Sequence, residues 1–268
     1  MNSYWKKFYN NEFVTMVLSF SVAAIAWEMA VGLFSIPQWL LPPPTAIVTE
    51  IYQSAGYLWQ NTLVTIEEIL LGFVLACVAG TLLGIVIAYS PVMGKTLYKF
   101  LVATQSVPKV AITPLLVVWL GLGMAPKIIM VFLLCFFPIM VNMVSGLQSV
   151  NRELLDLAEV MGADWLQSFL KIRFPAALPH LFNGLRVSIS LAVIGAIISE
   201  FVCADQGLGY SLLVSSSQLK GPLTFSVVTI LAFVGIALFS IVAWMEKLIC
   251  PWAKTTAAED RNNSEKNS

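Results

Sequence analysis

Residues 62–89 read TLVTIEEILLGFVLACVAGTLLGIVIAY, and this stretch decides what kind of molecule the chain is. From Ile69 to Tyr89 it carries no charged residue, and about 20 apolar residues in a helix are enough to cross the hydrocarbon core of a bilayer. Comparable runs lie at approximately 13–34, 97–121, 126–147, 183–204 and 223–250. The spacing therefore predicts six transmembrane helices. The whole chain agrees: of 268 residues, 58% are hydrophobic and 11% charged, with a mean hydropathy of +0.83, whereas soluble domains are roughly 45–50% apolar and about 25% charged. Backbone groups in lipid must be satisfied within the protein, and the sequence has no ten-residue alternating segments of the barrel kind. An all-α integral membrane protein is the expectation.

The 15 basic residues balance the 15 acidic ones, so no basic stripe points to a nucleic acid. Cys77, Cys135, Cys203 and Cys250 lie far apart without CxxC spacing, and His180 is the single histidine. A metal cluster or histidine relay has too few parts, and buried thiols are expected. The first run follows Lys6 and Lys7 as a signal peptide would, but it is too long for an h-region and lacks a clear cleavage site, so it reads as a retained helix.

Counting Lys and Arg at the ends of the runs assigns sidedness. One side collects Lys6, Lys7, Lys95, Lys99, Arg152, Lys171, Arg173, Arg186, Lys247, Lys254, Arg261 and Lys266; the other has Lys127 and Lys220. Both termini are expected in the cytoplasm. The division is a cytoplasmic amino terminus at 1–12, a membrane domain at 13–254, and a disordered cytoplasmic tail at 255–268, which is charged and lacks large apolar residues.

Small residues recur every fourth position in the second run, at Gly72, Ala76, Gly80, Gly84 and Ala88. This stripe lets another backbone approach closely, either within the bundle or between subunits. The third run is interrupted at Pro108 and Pro114, with Gln105, Ser106 and Lys109 beside the break. A break at membrane depth reads as a cavity wall or as a packing kink.

Ser149 to Phe182 is too polar to cross lipid and too rich in Leu, Trp and Phe to be a loose linker. Leu154, Leu157, Ala158 and Met161 share one helical face. Gly162 supplies a turn, and Asp164 with Gln167 reads as the N-cap of a second short helix, stopped by Pro175 and Pro179. Two amphipathic helices on the cytoplasmic face suit docking to another protein.

The order Asp156-Leu157-Ala158, Gly162, Ile172-x-Phe174-Pro175 resembles the EAA-x3-G-x9-I-x-L-P loop of permease subunits of bacterial ABC importers. It departs from that pattern by Asp for Glu, Leu for the first Ala and Phe for Leu. Other segments are similar to the nitrate/sulfonate/taurine branch. These are Leu41-Pro42-Pro43-Pro44, Pro108-x-x-Ala111-x-x-Pro114-Leu115-x-x-x-Trp119-x-Gly121, Phe136-Phe137-Pro138, and Ser199-Glu200-Phe201 followed by Gly207-Leu208-Gly209-Tyr210. The resemblance spans roughly residues 35–250.

It implies a type I importer permease fold with a coupling loop at 149–182, in the inner membrane of a bacterial cell. The implied partners are two ABC ATPase subunits that hold ATP-Mg, a second permease copy (a homodimer), a periplasmic or lipid-anchored binding protein, and membrane lipid. Asp156 would pair with a basic group of the ATPase, with Glu153 or Glu159 able to share the role. The coupling residues are then Asp156, Leu157, Ala158, Glu159, Gly162, Ile172 and Pro175. No cofactor is expected in this chain. Met93-Gly94-Lys95-Thr96 ends like a P-loop, but Tyr89 stands where the first glycine is required.

An ionisable group at the bilayer centre costs about 2.5–3.5 kcal/mol on insertion scales. Glu28, Glu67, Glu68 and Glu200 fall toward the external ends of their runs, where interfacial solvation explains each. Glu200 stands out because it closes the fifth run, which also carries Ser188, Ser199 and, offset, Ser190; in the related permeases the equivalent helix lines the path. Asn142, among Ile139, Met140 and Met143, needs a partner or water. Ser188, Ser199, Glu200, Asn142 and Gln105 are the path candidates. The solute would be a sulfonate-, nitrate- or taurine-like anion, or a heteroaromatic like a thiamine precursor or riboflavin. An intramembrane enzyme using Glu200 or His180 lacks a second convergent group, and a scaffold for another ATPase-driven transporter or an exporter would lack the Gly162-to-Pro175 spacing.

Overall fold

The computed structural model describes residues 12–90 and 103–252. Apolar runs and turn residues set its elements: α1 (Glu12–Leu33), α2 (Pro44–Gln53) and α3 (Ala55–Tyr89) come first. After a 3-10 turn (Lys109–Ile112) come α4 (Thr113–Leu120), α5 (Met124–Gln148), α6 (Arg152–Val160) and α7 (Trp165–Ser168). A π-helical turn (Phe169–Arg173) leads into α8 (Phe174–Cys203), followed by α9 (Leu208–Ser217) and α10 (Gly221–Ile249). No strand occurs among the described residues.

Helix α5 is the centre of the bundle, packed on α3 along one side and on α8 along the other. Glycine makes both approaches close. A Cβ on Gly72 would lie 2.5 Å from Val131 Cβ and one on Gly84 2.8 Å from Met143 Cβ; from α8, a Cβ on Gly184 would lie 2.9 Å from Asn142 Cβ. Gly80 meets Phe136 O and Ile139, and Ala76 has no exposed surface. The small-residue stripe of α3 thus faces α5. The opposite face of α3 presents Val74, Val78, Leu82 and Val86 outward, as a helix bordered by lipid does.

Of the six runs expected from the sequence, the first, second, fourth, fifth and sixth are covered by α1, α3, α5, α8 and α10. Four helices among the described residues are long and apolar enough to cross a membrane: α3, α5, the continuous Trp165–Cys203 helix, and α10. Apolar stretches at Leu18–Leu33, within α1, and at Lys109–Leu120 are shorter. The expected third run begins outside the described residues, and its described part is broken. Its freed carbonyls are served locally: Val107 N–H donates to Thr104 O at 3.2 Å and the Thr113 hydroxyl to Val110 O at 2.9 Å. Gly121 and Gly123, at φ +78° and +128°, then turn the chain into α5.

One correction concerns the prolines. Pro175 and Pro179 do not stop a helix. Pro175 sits in the first turn of α8 and Pro179 lies inside it. A first-turn proline gives up an N–H that would have no helical partner anyway, and the π-turn before it takes up the change of register. Helix α3 also starts before the apolar run, and α2 and α9 are short helices that the apolar runs do not mark.

Candidate functional site

At one end of the bundle, α6 and α7 form a bent pair. Asn151 caps α6 by accepting from Glu153 N–H at 3.0 Å, and Asp164 caps α7 by accepting from Gln167 N–H at 2.7 Å. Between them Gly162 adopts φ +80°. The N–H groups of Gly162 and Ala163 then close back on Glu159 O and Ala158 O, both at 2.9 Å, which is the glycine-terminated helix end that an L side chain resists.

The pair is fastened to the end of α3 by aromatic rings. Tyr89 meets Trp165 edge-on at 5.3 Å and Phe169 at 5.7 Å, while the Arg173 guanidinium lies 5.1 Å over the Tyr89 ring. Trp165 stacks on Phe169 at 5.9 Å, and Phe169 reaches Phe174 at the start of α8. A cavity of about 270 Å³ lies beside this cluster, lined in part by Glu159, Ser168 and Arg173.

Facing away from the bundle, Leu154, Leu157, Val160 and Met161 are exposed, Val160 and Met161 at 85% and 79%. Asp156, Glu159 and Gly162 are exposed with them, whereas Ala158, Ile172 and Pro175 are half-buried. Ordered caps beneath an uncovered apolar face are what a docking element presents to another protein.

The path candidates are placed differently from one another. Ser188 is buried, its hydroxyl donating to Cys135 O at 2.9 Å, and Ser199 is buried with its hydroxyl on Ala196 O at 2.8 Å. Asn142 Nδ2 donates to Pro138 O at 2.8 Å within its own helix. Gln105 is exposed and accepts from Lys109 Nζ. The exposed stripe of α8 is another set: Asn183, Val187, Ser190, Ile194 and Phe201. Of these, the sequence marks Ser190 as offset on the fifth run and Phe201 as part of the Ser199-Glu200-Phe201 segment. Helical period from Ser190 finds the rest once its face is known to be free.

Interfacial solvation does not describe Glu68 or Glu200. Glu68 Oε1 accepts from Lys127 Nζ at 2.7 Å, and both side chains are buried. Glu200, 1% exposed, accepts from the Thr65 hydroxyl at 2.6 Å and from the backbone of Gly209 and Tyr210. Glu28 instead holds Thr45, accepting from its hydroxyl at 2.7 Å. On the other flank of α8, Arg186 pairs with Glu246 of α10.

Residues 80–255 match the family described as the binding-protein-dependent transport system inner membrane component. The chain belongs to this family. It is a non-catalytic ABC importer permease of the inner membrane, which works with an ATPase and a substrate-binding protein. The permease is 35% identical to a probable ABC transporter permease of Haemophilus influenzae over 85% of this chain and 94% of that protein. It is also 35% identical to the formylaminopyrimidine transport permease ThiX of Halalkalibacterium halodurans, over 88% and 95%. The riboflavin permease RibX of Chloroflexus aurantiacus is 34% identical over 85% and 86%. Sulfonate and taurine permeases align as well, which places the permease in the nitrate/sulfonate/taurine branch. A chain of the inward-facing MetNI methionine ABC transporter superposes with a TM-score of 0.54 at 19% identity, covering 75% of this chain and 98% of that one. The fold is that of a type I importer permease.

Proposed function

We propose that the permease forms half of a homodimeric pathway for a small heteroaromatic solute, with the α6–α7 pair seated in an ATPase on the cytoplasmic face. The observation that carries this reading is the exposed stripe of α8. Asn183, Val187, Ser190, Ile194 and Phe201 are uncharged, and Arg186 on the same helix is neutralised by Glu246. A wall of amide, hydroxyl and apolar groups suits a planar, weakly charged ring with a few hydrogen-bonding atoms, whereas an anion would call for an unpaired cation. The identities support this: relatives named for formylaminopyrimidine and riboflavin align at 35% and 34%, those named for aliphatic sulfonates and taurine at 29% and 24%.

In this reading two copies bring their α8 stripes together around the path. Each α6–α7 pair presents Leu154, Leu157, Val160 and Met161 to one of two ATPase subunits, where ATP-Mg is bound, and Asp156 meets a basic group there. ATPase closure biases the bundle between its inward- and outward-open states without a covalent step in this chain. Both termini lie on the ATPase side.

The test is uptake by proteoliposomes holding the permease with its ATPase and binding protein. Labelled formylaminopyrimidine is expected to accumulate with ATP, and taurine is not. Taurine or sulfonate uptake without pyrimidine uptake replaces the substrate class with an anion.

A further inference from the structure

The end of the bundle opposite α6 and α7 contains a second built device. Helix α9 begins with four consecutive N–H groups that have no partner inside their own helix, and side chains of other helices take them all. Gly207 N–H donates to Asn61 Oδ1 at 2.7 Å and Leu208 N–H to Thr65 Oγ1 at 2.8 Å; Gly209 and Tyr210 N–H both donate to Glu200 Oε2. The Thr65 hydroxyl in turn donates to Glu200 Oε1 at 2.6 Å. Asn61 and Thr65 come from α3 and Glu200 from α8, so three side chains do the work of an N-cap across three helices.

The fit leaves no slack. A Cβ on Gly209 would stand 2.7 Å from Glu200 Oε2, and one on Gly207 would run into the same carboxylate. Thr65, Leu208 and Glu200 are at most 1% exposed. Beyond this cap, the Tyr57 and Ser211 hydroxyls lie 2.9 Å apart, and Thr224 of α10 donates to Ser215 at 2.9 Å. Leu58, Leu208, Val227 and Leu231 form a small apolar core of their own under α9. The far side of α9 and its exit, with Leu213, Ser216, Ser217 and Gln218, is exposed.

We propose that Glu200, aligned by Thr65, is a positioning residue: it holds α9 on the outer end of α3 and α8 and so sets how tightly that end engages the substrate-binding protein. The second half of this statement rests on the proposed sidedness. The Glu200 carboxylate is occupied by the Thr65 hydroxyl on one oxygen and by the α9 backbone on the other. A buried carboxylate accepting several donors is far stiffer than a water-filled cap, because losing one partner strands the others away from water.

The experiment uses the complete transporter in proteoliposomes and compares Thr65→Val, which keeps the shape but loses the hydroxyl, with Thr65→Ser, which keeps it. In Thr65→Val the amides of residues 207–210 are expected to exchange hydrogen about tenfold faster. Over the same change the concentration of liganded binding protein giving half-maximal ATPase stimulation rises about tenfold, while the rate at saturation stays near wild type. Thr65→Ser stays near wild type in both, and Glu200→Gln falls between. Unchanged exchange in Thr65→Val, or a lowered maximal rate with an unchanged half-maximal concentration, overturns the positioning role. A wild-type transporter that no binding protein stimulates from the α9 side overturns the sidedness instead, and the exchange data still decide whether Thr65 and Glu200 hold α9.

Discussion

Lys127 Nζ lies 2.7 Å from Glu68 Oε1, and the two side chains are 6% and 0% exposed. The contact ties the first turn of α5 to the middle of α3, 59 residues earlier. Among the described residues Glu68 Oε2 has no hydrogen-bond donor, so Lys127 is the side chain that compensates this buried carboxyl group. Net stabilisation by such a pair is small, because desolvation offsets attraction, but breaking one partner is costly.

Lys127→Met is therefore expected to destabilise the permease by about 3 kcal/mol, since Glu68 is left buried without its counter-charge. Adding Glu68→Gln should recover most of the loss. Thermal melting of the detergent-solubilised protein reads both; equal melting points for the single and double variants would show that the two residues are not coupled.

Overpacking separates the α3–α5 contact from a bare helix face. Gly72→Val drives a side chain into Val131 and Ile128 O, while Gly32→Val in α1 adds a Cβ that meets nothing within 4 Å among the described residues. The first should lower stability by about 1–3 kcal/mol, the second by little. Folded yield and melting temperature in detergent check the order, which reverses if Gly72 lies on a free face.

Gly162, at φ +80° with no neighbour among the described residues in the way of a Cβ, is held by conformation rather than space. Gly162→Val should cost about 1–2 kcal/mol in the α6–α7 turn and reduce co-purification of the ATPase, with membrane insertion intact. Gly162→Asn, which tolerates the left-handed region, should do less damage. Full ATPase recovery with Val would mean the turn does not shape the docking face.

Sidedness is read by labelling. With the native cysteines replaced, a cysteine at Tyr52, 88% exposed, should react with an impermeant reagent added outside intact cells, and one at Val160, 85% exposed, should not. The opposite pattern inverts the proposed orientation.

Much of the site at the α6–α7 end could be read before folding, because its signals are local. Asp164 and Gln167 are three positions apart and cap one helix, and Gly162 punctuates between two amphipathic stretches. A proline's meaning depends on whether the helix before it is ending or turning over: at Pro175 the π-turn Phe169–Arg173 carries the chain straight into α8. Ser188 and Ser199 are polar in an apolar run, but polarity does not tell which way a helix is rotated, and both hydroxyls turn inward.

Hydropathy by itself determined the class of molecule and its long apolar helices, since those follow from the energetics of short windows in lipid or water. Which carboxylates are solvated, and what each of them holds, was decided only by tertiary structure. Glu200 reaches Thr65 across 135 residues and Lys127 reaches Glu68 across 59, and whether a buried charge is tolerated depends on partners that the fold, not the neighbouring sequence, brings within hydrogen-bonding distance.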